Sequence, residues 1–207
     1  MIKAVLLIFE PVATWEGIFR ARRSILLILV GFLLPLLLLT SAGETYGWVT
    51  WGKWQHIGRL RRFPLGEAVL VQAGQLLLSL VVVFAGASLV KALGETFHGR
   101  NTYTQAFATV AYGLSPLFLL RLLDGVRGIS PWVTWAIGII LSFGVLYYGV
   151  PRMMNPDPAH AFGLFLMSAL LLALVAGLAR FVTAAYLQGR FTGLETIVSD
   201  AAARLPF

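Results

Sequence analysis

Two short patterns in this chain have the residue types of a metal site. Glu95 precedes His98 by three residues, and Asp157 precedes His160 by the same spacing. A carboxylate and an imidazole at i and i+3 can share a helix face, and two such pairs can supply four ligands to a metal ion. Prolines on both sides of Asp157 disfavour a helix there. Solvated turn residues are therefore the preferred interpretation, and a metal site at Glu95, His98, Asp157 and His160 is the alternative.

The sequence offers few other groups that could catalyse a reaction. It has no cysteine, so thiolate nucleophiles, thiolate metal ligands and disulfides are excluded. Ser115 has neither a histidine placed to activate it nor the surroundings of a nucleophile elbow. Catalysis within a membrane needs ionisable groups at bilayer depth, and we expect the charges of this chain at the ends of its apolar segments. We predict that the protein is not an enzyme and binds no cofactor.

The clearest polar pattern lies within the second apolar segment. Gln72, Gln75, Ser79 and Gly86 fall on one face of a helix. An amide that faced lipid would lack hydrogen-bond partners, whereas one that faces another helix can find them. We expect this stripe to point into the bundle and to pack helices together. A route for a solute is the alternative.

Small residues and a proline mark other places where helices should approach closely. Gly138 with Ser142, and Ala173 with Gly177, are pairs of small residues four positions apart. In the third apolar segment Pro116 removes a backbone donor and predicts a bend. The full set expected to pack helices is Gln72, Gln75, Ser79, Gly86, Tyr112, Gly113, Pro116, Gly138, Ser142, Ala173 and Gly177.

The composition requires lipid, not water, as the surrounding solvent. Of the 207 residues, 58% are hydrophobic and 12% are charged, whereas soluble domains have about 25% charged residues. The net charge of +7 comes from basic residues near segment ends and in short loops. There they serve topology and bind lipid headgroups. Nucleic acid is therefore not an expected partner.

Five apolar segments are long enough to cross a bilayer as helices, at about residues 24–42, 68–93, 102–123, 131–150 and 161–185. We predict an all-α polytopic membrane protein, a bundle of five transmembrane helices. The transmembrane domain covers residues 24–185, between an N-terminal segment, 1–23, and a C-terminal tail, 186–207. As the third of five, the segment 102–123 should lie at the centre.

Residues 1–23 mix apolar and charged positions, and a proline divides them. An amphipathic helix that lies in the membrane interface is expected, with Trp15 at headgroup depth. Arg20, Arg22 and Arg23 directly precede the first segment. By the positive-inside rule this cluster predicts a cytoplasmic N-terminus.

Charged residues near other segment ends are expected at the membrane surface. Arg121, Asp124 and Arg127 have the i, i+3, i+6 spacing of an ion-pair cluster at the membrane edge. Arg180 lies near the end of the fifth segment, where its side chain should extend to the far surface.

Three tryptophans recur at every third residue, Trp48, Trp51 and Trp54. On a helix they would share one face. They predict an aromatic belt at the interface or, as the alternative, a docking surface for a partner.

Several of these features together resemble the Yip-domain family. They are the five segments, the short N-terminal stretch that contains a proline and ends in basic residues, and the run from Lys91 to Arg100 leading into Tyr103-Thr-Gln-Ala-Phe. Ala-Tyr-Gly-Leu-Ser-Pro at 111–116 is similar to that family's Gly-Tyr-Ser-Leu and downstream proline, with glycine and tyrosine transposed. The resemblance covers about residues 5–185. The family's Asp-Leu-Tyr-Gly-Pro signature is missing from the first segment, where Pro35 remains, and the short N-terminal stretch resembles the prokaryotic branch.

The resemblance implies a non-enzymatic integral membrane protein that organises membrane or scaffolds partner proteins. The missing signature separates the chain from eukaryotic members that act in membrane traffic with Rab GTPases. An accessory subunit of a larger membrane complex and a small-solute channel or transporter are the alternatives. The expected partners are membrane lipids and other membrane protein chains, in a hetero-complex or a homo-oligomer. The expected location is a bacterial plasma (inner) membrane.

Overall fold

Helices long enough to cross a membrane dominate the structure. It is a computed structural model that describes residues 2–56, 59–97, 99, 102–187, 190 and 192–203. Within these residues five helices have the length and apolar character of a membrane span. They are Ile25–Thr50, Leu65–Thr96, Tyr103–Gly125, Pro131–Met154 and Pro158–Tyr186, called spans 1 to 5 below. The predicted fold class, an all-α five-span bundle preceded by an amphipathic helical segment, is confirmed.

Span 1 changes its helical geometry just before its proline. It consists of α3 (Ile25–Ile28), a π-helical turn (Leu29–Leu33) and α4 (Leu34–Thr50). The Pro35 ring would clash with the carbonyl four residues earlier in a regular helix, and the wider π turn relieves that clash. The helix then continues eight residues past 42, the predicted end of the first segment, and so includes Glu44.

A short hairpin connects spans 1 and 2. Strand β1 (Lys53–His56) pairs antiparallel with β2 (Arg59–Arg61). The prediction of three tryptophans on one helix face is wrong, because the helix ends at Thr50 and Trp54 lies in β1. Trp48 is fully buried and packs against Phe63, with ring centroids 5.2 Å apart.

Span 2 is the single helix α5 (Leu65–Thr96), and span 3 is built from three pieces. These pieces are α6 (Tyr103–Gly113), α7 (Ser115–Leu120) and a 3-10 turn (Arg121–Gly125). In its most apolar stretch 72% of the residues are buried, against 33–44% in the other spans. Span 3 is therefore the centre of the bundle.

Spans 4 and 5 complete the bundle. Span 4 is α8 (Pro131–Met154), and span 5 combines a 3-10 turn (Pro158–His160) with α9 (Ala161–Leu187). A last helix, α10 (Thr192–Ala203), contacts α5.

The N-terminal segment forms two helices, α1 (Ile2–Phe9) and α2 (Pro11–Ala21), which pack on the bundle through one face. Trp15 is fully buried in this face and donates its indole N–H to the carbonyl of Val145 at 2.9 Å. The expectation that Trp15 lies among lipid headgroups is therefore wrong. Its indole finds its hydrogen-bond partner in the protein instead.

Candidate functional site

The most polar part of the bundle surrounds Arg121 at the end of span 3. One terminal nitrogen of its guanidinium donates to the Ser79 hydroxyl at 3.0 Å. The other donates to the Glu44 carboxylate at 3.1 Å, to the Gln72 side-chain oxygen at 3.3 Å and to the Gln75 side-chain oxygen. These partners come from spans 1 and 2, so one cation joins three helices.

A second ion pair lies one helical turn further along span 3, at Asp124. This carboxylate accepts hydrogen bonds from the Arg180 guanidinium of span 5 and the Thr134 hydroxyl of span 4. The same Arg180 nitrogen also donates to the Pro131 carbonyl at 2.9 Å. The Thr134 hydroxyl also lies 2.9 Å from the Pro131 carbonyl, so side chains of spans 4 and 5 both contact the start of span 4.

Together these groups form what we call the charge network: Glu44, Gln72, Gln75, Ser79, Arg121, Asp124, Thr134 and Arg180. Every span contributes at least one member. Two carboxylates balance two guanidiniums, so the four charged members sum to zero. The carboxylate side chains are each 1% exposed, and those of Arg121 and Arg180 are 11% and 10% exposed.

Arg121 and Asp124 are both buried, and each binds a charged group from another span. The expectation for Arg180 is wrong. Arg180 does not extend outward to the membrane surface, because it turns inward to Asp124. A buried carboxylate gives an arginine a stronger partner than interfacial water, provided that both stay paired.

The charge network reaches well into the bundle. Ser79 lies 14 residues from the start of the 32-residue helix α5, which is about 21 Å at 1.5 Å per residue. The Arg121 guanidinium that binds Ser79 is therefore near the midpoint of that helix. Ionisable groups at this depth in a membrane protein are candidates for a functional site.

A cavity of about 60 Å³ lies between the two ion pairs, and we call it the polar cavity. Four of its lining residues each have a buried N–H group with no hydrogen-bond acceptor among the described residues. These groups are Gln75 Nε2, Arg121 Nε, Trp135 Nε1 and Arg180 Nε. Since the volume exceeds the roughly 10–15 Å³ that one water needs, the cavity can hold waters that accept these hydrogen bonds.

The predicted polar stripe of α5 faces the protein interior in the structure. Gln72, Gln75 and Ser79 are 3%, 7% and 8% exposed. Gly86 continues the same face, where an added Cβ would lie 2.6 Å from a Leu172 methyl and 3.3 Å from a Val110 methyl. The stripe therefore contacts span 3 through its polar end and spans 3 and 5 through its glycine.

The other residues expected to pack helices lie mainly between spans 3, 4 and 5. An added Cβ at Gly138 would lie 2.9 Å from the Leu117 Cα, and one at Gly177 would lie 3.2 Å from the Trp135 ring. An added Cβ at Gly113 would overlap the Leu146 side chain. The remaining members are buried or partly buried: Tyr112, Pro116 and Ser142 are buried, and Ala173 packs against the core.

The four candidate metal ligands are not brought together in the described part of the chain. Glu95 binds Lys91 at 2.9 Å, and His160 lies 3.9 Å from Asp157, with both side chains about half exposed. His98 lies outside the described residues. Among the described residues no group of three or more His, Cys, Asp or Glu side chains could hold a metal ion.

The comparison with protein families agrees with this architecture. The model of the Yip1 domain matches residues 5–181 of the chain. The chain belongs to the Yip1 domain family. This confirms the resemblance drawn from the sequence, and it makes the protein an integral membrane protein of that family. No curated protein and no solved structure matches the chain.

The match of this Yip1 domain extends over all the members of the charge network, from Glu44 to Arg180. Sequence reasoning missed Glu44, because a carboxylate after an apolar run was taken as the end of that run. One signal could have found it. A stripe of two glutamines and a serine that faces the protein interior needs polar partners on other spans. Glu44 lies just after the end of the first apolar segment, and Arg121 lies near the end of the third, so these two charged residues are the candidates.

Proposed function

We propose that this Yip1-domain protein is a non-enzymatic scaffold that organises membrane or holds partner proteins. The observation that supports it best is the charge network. Its charges neutralise one another, and all five spans share it, so the bundle is held as one rigid unit. Rigid presentation of outer helix faces is what a scaffold requires.

The engagement of both carboxylates argues for a role without catalysis. Glu44 and Asp124 are each bound by an arginine. A general acid or base must be free to exchange a proton with a substrate near neutral pH. Each of these two carboxylates is instead 1% exposed and bound by a guanidinium, so a substrate has little access to it.

The proposed partners are membrane lipids and other membrane protein chains. Each of spans 1, 2, 4 and 5 exposes large apolar side chains, among them Leu27, Leu77, Ile140 and Leu174, which are 60–69% exposed. These faces fit acyl chains or the apolar surface of another membrane helix. The proposed setting is a bacterial plasma membrane with the N-terminus in the cytoplasm.

Photo-crosslinking in cells tests the scaffold directly. A diazirine side chain of leucine size replaces Leu27, Leu77, Ile140 and Leu174 one at a time, and fully buried Leu172 serves as the control position. A scaffold gives a protein crosslink of defined mass from at least one exposed position and only internal crosslinks from position 172. Lipid adducts alone from all four exposed positions would overturn the proposal that the chain holds partner proteins.

Native mass measurement of the purified chain separates the related possibilities. A second chain in fixed stoichiometry would identify an accessory subunit of a larger complex. A mass of two or more copies of this chain would identify a homo-oligomer as the scaffold unit.

Passage of a small solute is the second candidate, and the polar cavity is the observation that favours it. Towards the other end of α5, however, the buried residues are glycines and the apolar Val82, Val83, Ala87 and Val90. A solute route would have to cross this apolar stretch. Flux into liposomes that disappears in Gln75→Leu would support a channel, and flux equal to that of empty liposomes would exclude it.

A further inference from the structure

A larger cavity lies at the opposite end of the bundle, beside the N-terminal segment. Its volume is about 360 Å³, and residues of α2, span 1, α6 and α8 line it. We call it the arginine cavity, because Arg22 and Arg23 form part of its wall. Pockets for small molecules usually measure about 300–1,000 Å³, so this one has room for a molecular group larger than a water or a simple ion.

The turn after α2 places both arginines in the wall of the cavity. Arg22 has φ 40° and ψ 47°, the left-handed conformation, and it ends α2. Residues other than glycine, asparagine and aspartate rarely adopt this conformation because it brings Cβ too close to the backbone. Strain of this kind is often kept where a backbone must aim side chains at a functional site.

No carboxylate neutralises these arginines within the described residues. The nearest acid along α2, Glu16, binds Arg152 at 3.1 Å and Arg20 at 3.7 Å. Burial lowers the pKa of the Lys3 ammonium, and the charge of Arg23 lowers it further. The region therefore has an excess of positive charge that an anion would relieve.

Uncharged donors line the same cavity. The Tyr112 side chain is 1% exposed, and its hydroxyl makes no hydrogen bond of standard geometry with described residues. The Arg23 guanidinium acts on that hydroxyl through its charge and a looser side-chain hydrogen bond, which places the hydroxyl on the arginine side of the cavity. A guanidinium can only donate, so the phenolic O–H still has its own hydrogen to donate, and a bound acceptor would satisfy it.

The start of α6 adds further donor capacity. Thr102 and Gln105 form a capping box in which the Gln105 side-chain oxygen accepts from the Thr102 backbone N–H at 2.8 Å. This leaves the NH₂ group of Gln105 as a donor at the cavity wall. The positive end of the helix dipole lies at the same place and favours a negative charge.

We propose that the arginine cavity binds a phosphate group, supplied by the headgroup of an anionic lipid or by a soluble phosphate compound. Arg22 and Arg23 provide charge-assisted hydrogen bonds, and Tyr112 and Gln105 provide neutral ones. Apolar residues on the remaining wall, among them Ile18 and Met153, suit the glycerol and acyl region of a lipid. This assignment does not depend on the scaffold proposal.

Lipid retention by the purified full chain tests the assignment. The chain is stripped of lipid in a mild detergent and incubated with phosphatidylglycerol or phosphatidylcholine, and bound lipid is counted by native mass spectrometry. We expect preferential retention of phosphatidylglycerol, lost about tenfold or more in Arg23→Gln and in Arg22→Gln. Tyr112→Phe should weaken retention severalfold without changing the charge.

The control is Arg20→Gln, which removes the same charge from an exposed position that does not line the cavity. It should change retention less than twofold. Equal loss in Arg20→Gln and Arg23→Gln would show that general surface charge attracts the lipid and would overturn the site. Equal retention of the two lipids by the unaltered chain would overturn it as well.

Inorganic phosphate distinguishes the two sources of the group. If millimolar phosphate displaces the bound phosphatidylglycerol and Arg23→Gln abolishes that competition, the site accepts a soluble phosphate. If phosphate fails to compete while the variants still lose the lipid, the ligand is the lipid headgroup. A thermal unfolding midpoint of Arg23→Gln near that of Arg20→Gln verifies that the variant is folded.

Discussion

At the scale of single residues, Glu44 differs from the chain's exposed carboxylates because it has lost almost all contact with water. It faces Arg121, whose own side chain is 11% exposed. Two opposite charges that leave water together compensate much of each other's desolvation, whereas one left alone does not. The stability of the bundle therefore depends on keeping both partners present.

Replacement of one carboxylate at a time measures this dependence. Glu44→Gln should lower the free energy of unfolding by about 3–5 kcal/mol, because Arg121 remains buried without its counter-charge. The matched control is Glu95→Gln, the same change in an exposed pair with Lys91, which should cost less than about 1 kcal/mol. Unfolding in detergent micelles followed by circular dichroism gives both values, and equal losses would contradict the argument.

The hydroxyl of Thr134 has a separate role, because it donates to the buried Asp124 carboxylate. Thr134→Val keeps the shape of the side chain and removes that donor, so we expect a loss of about 1.5–3 kcal/mol. Thr183→Val is the control, since Thr183 also lines the polar cavity but, among the described residues, its hydroxyl bonds only the Ala179 carbonyl of its own helix. The same unfolding assay applies, and a control that loses as much as Thr134→Val would refute the role of the hydroxyl.

The sequence predicted part of this site at the residue level. Helix periodicity and the cost of an amide in lipid gave an inward direction for Gln72 and Gln75. The partner was not predictable, because Arg121 lies 46 residues from Gln75 and no local spacing relates them. Which residues meet across spans depends on the depth and rotation of each helix, and hydropathy does not determine either.

At the scale of elements, the charge network requires span 1 and the end of span 3 to approach unusually closely. A Cβ added at Gly47 would overlap the backbone of Gly125, and one added at Gly125 would lie 2.9 Å from the Gly43 carbonyl oxygen. The two backbones therefore touch without side chains between them. This contact, one turn beyond Glu44, holds its carboxylate against Arg121.

Gly47→Ala tests that contact. The methyl group cannot fit without moving the turn after span 3, so we expect a loss of about 1–3 kcal/mol and a weaker Glu44–Arg121 pair. Gly74→Ala is the control, because its added methyl meets nothing within 4 Å and should raise stability by up to about 1 kcal/mol. In the Gly47→Ala background, Glu44→Gln should cost less than in the unaltered chain; an unchanged cost would separate the glycine from the pair.

The number and order of the spans were predictable because long uncharged runs have few other stable states in lipid. Their ends were less so. Span 1 was predicted to end near residue 42 because Glu44 was expected to be exposed to water. In the structure the helix continues to Thr50. A counter-charge from another span allows a carboxylate to be buried inside the bundle. Hydropathy alone contains no information about that counter-charge.

At the scale of the whole molecule, the two ends of the bundle have different chemistry. One end holds the neutral charge network around the polar cavity. The other holds Arg22 and Arg23 without a described counter-charge, next to a cavity six times larger. Anionic lipids are concentrated in the cytoplasmic leaflet of many membranes, so a phosphate site at this second end suits a cytoplasmic N-terminus.

The orientation of the chain in the membrane therefore determines which end of the bundle faces the cytoplasm. The chain has no cysteine, so single cysteines can be introduced and labelled to test this orientation. Ser130→Cys and Ala159→Cys each place one exposed thiol on opposite sides of span 4. With the basic cluster before span 1 retained inside, a membrane-impermeant maleimide should label position 130 in intact cells and position 159 only after permeabilisation. The reverse pattern would place Arg22 and Arg23 outside, and the phosphate group would then have to come from the outer leaflet or the medium.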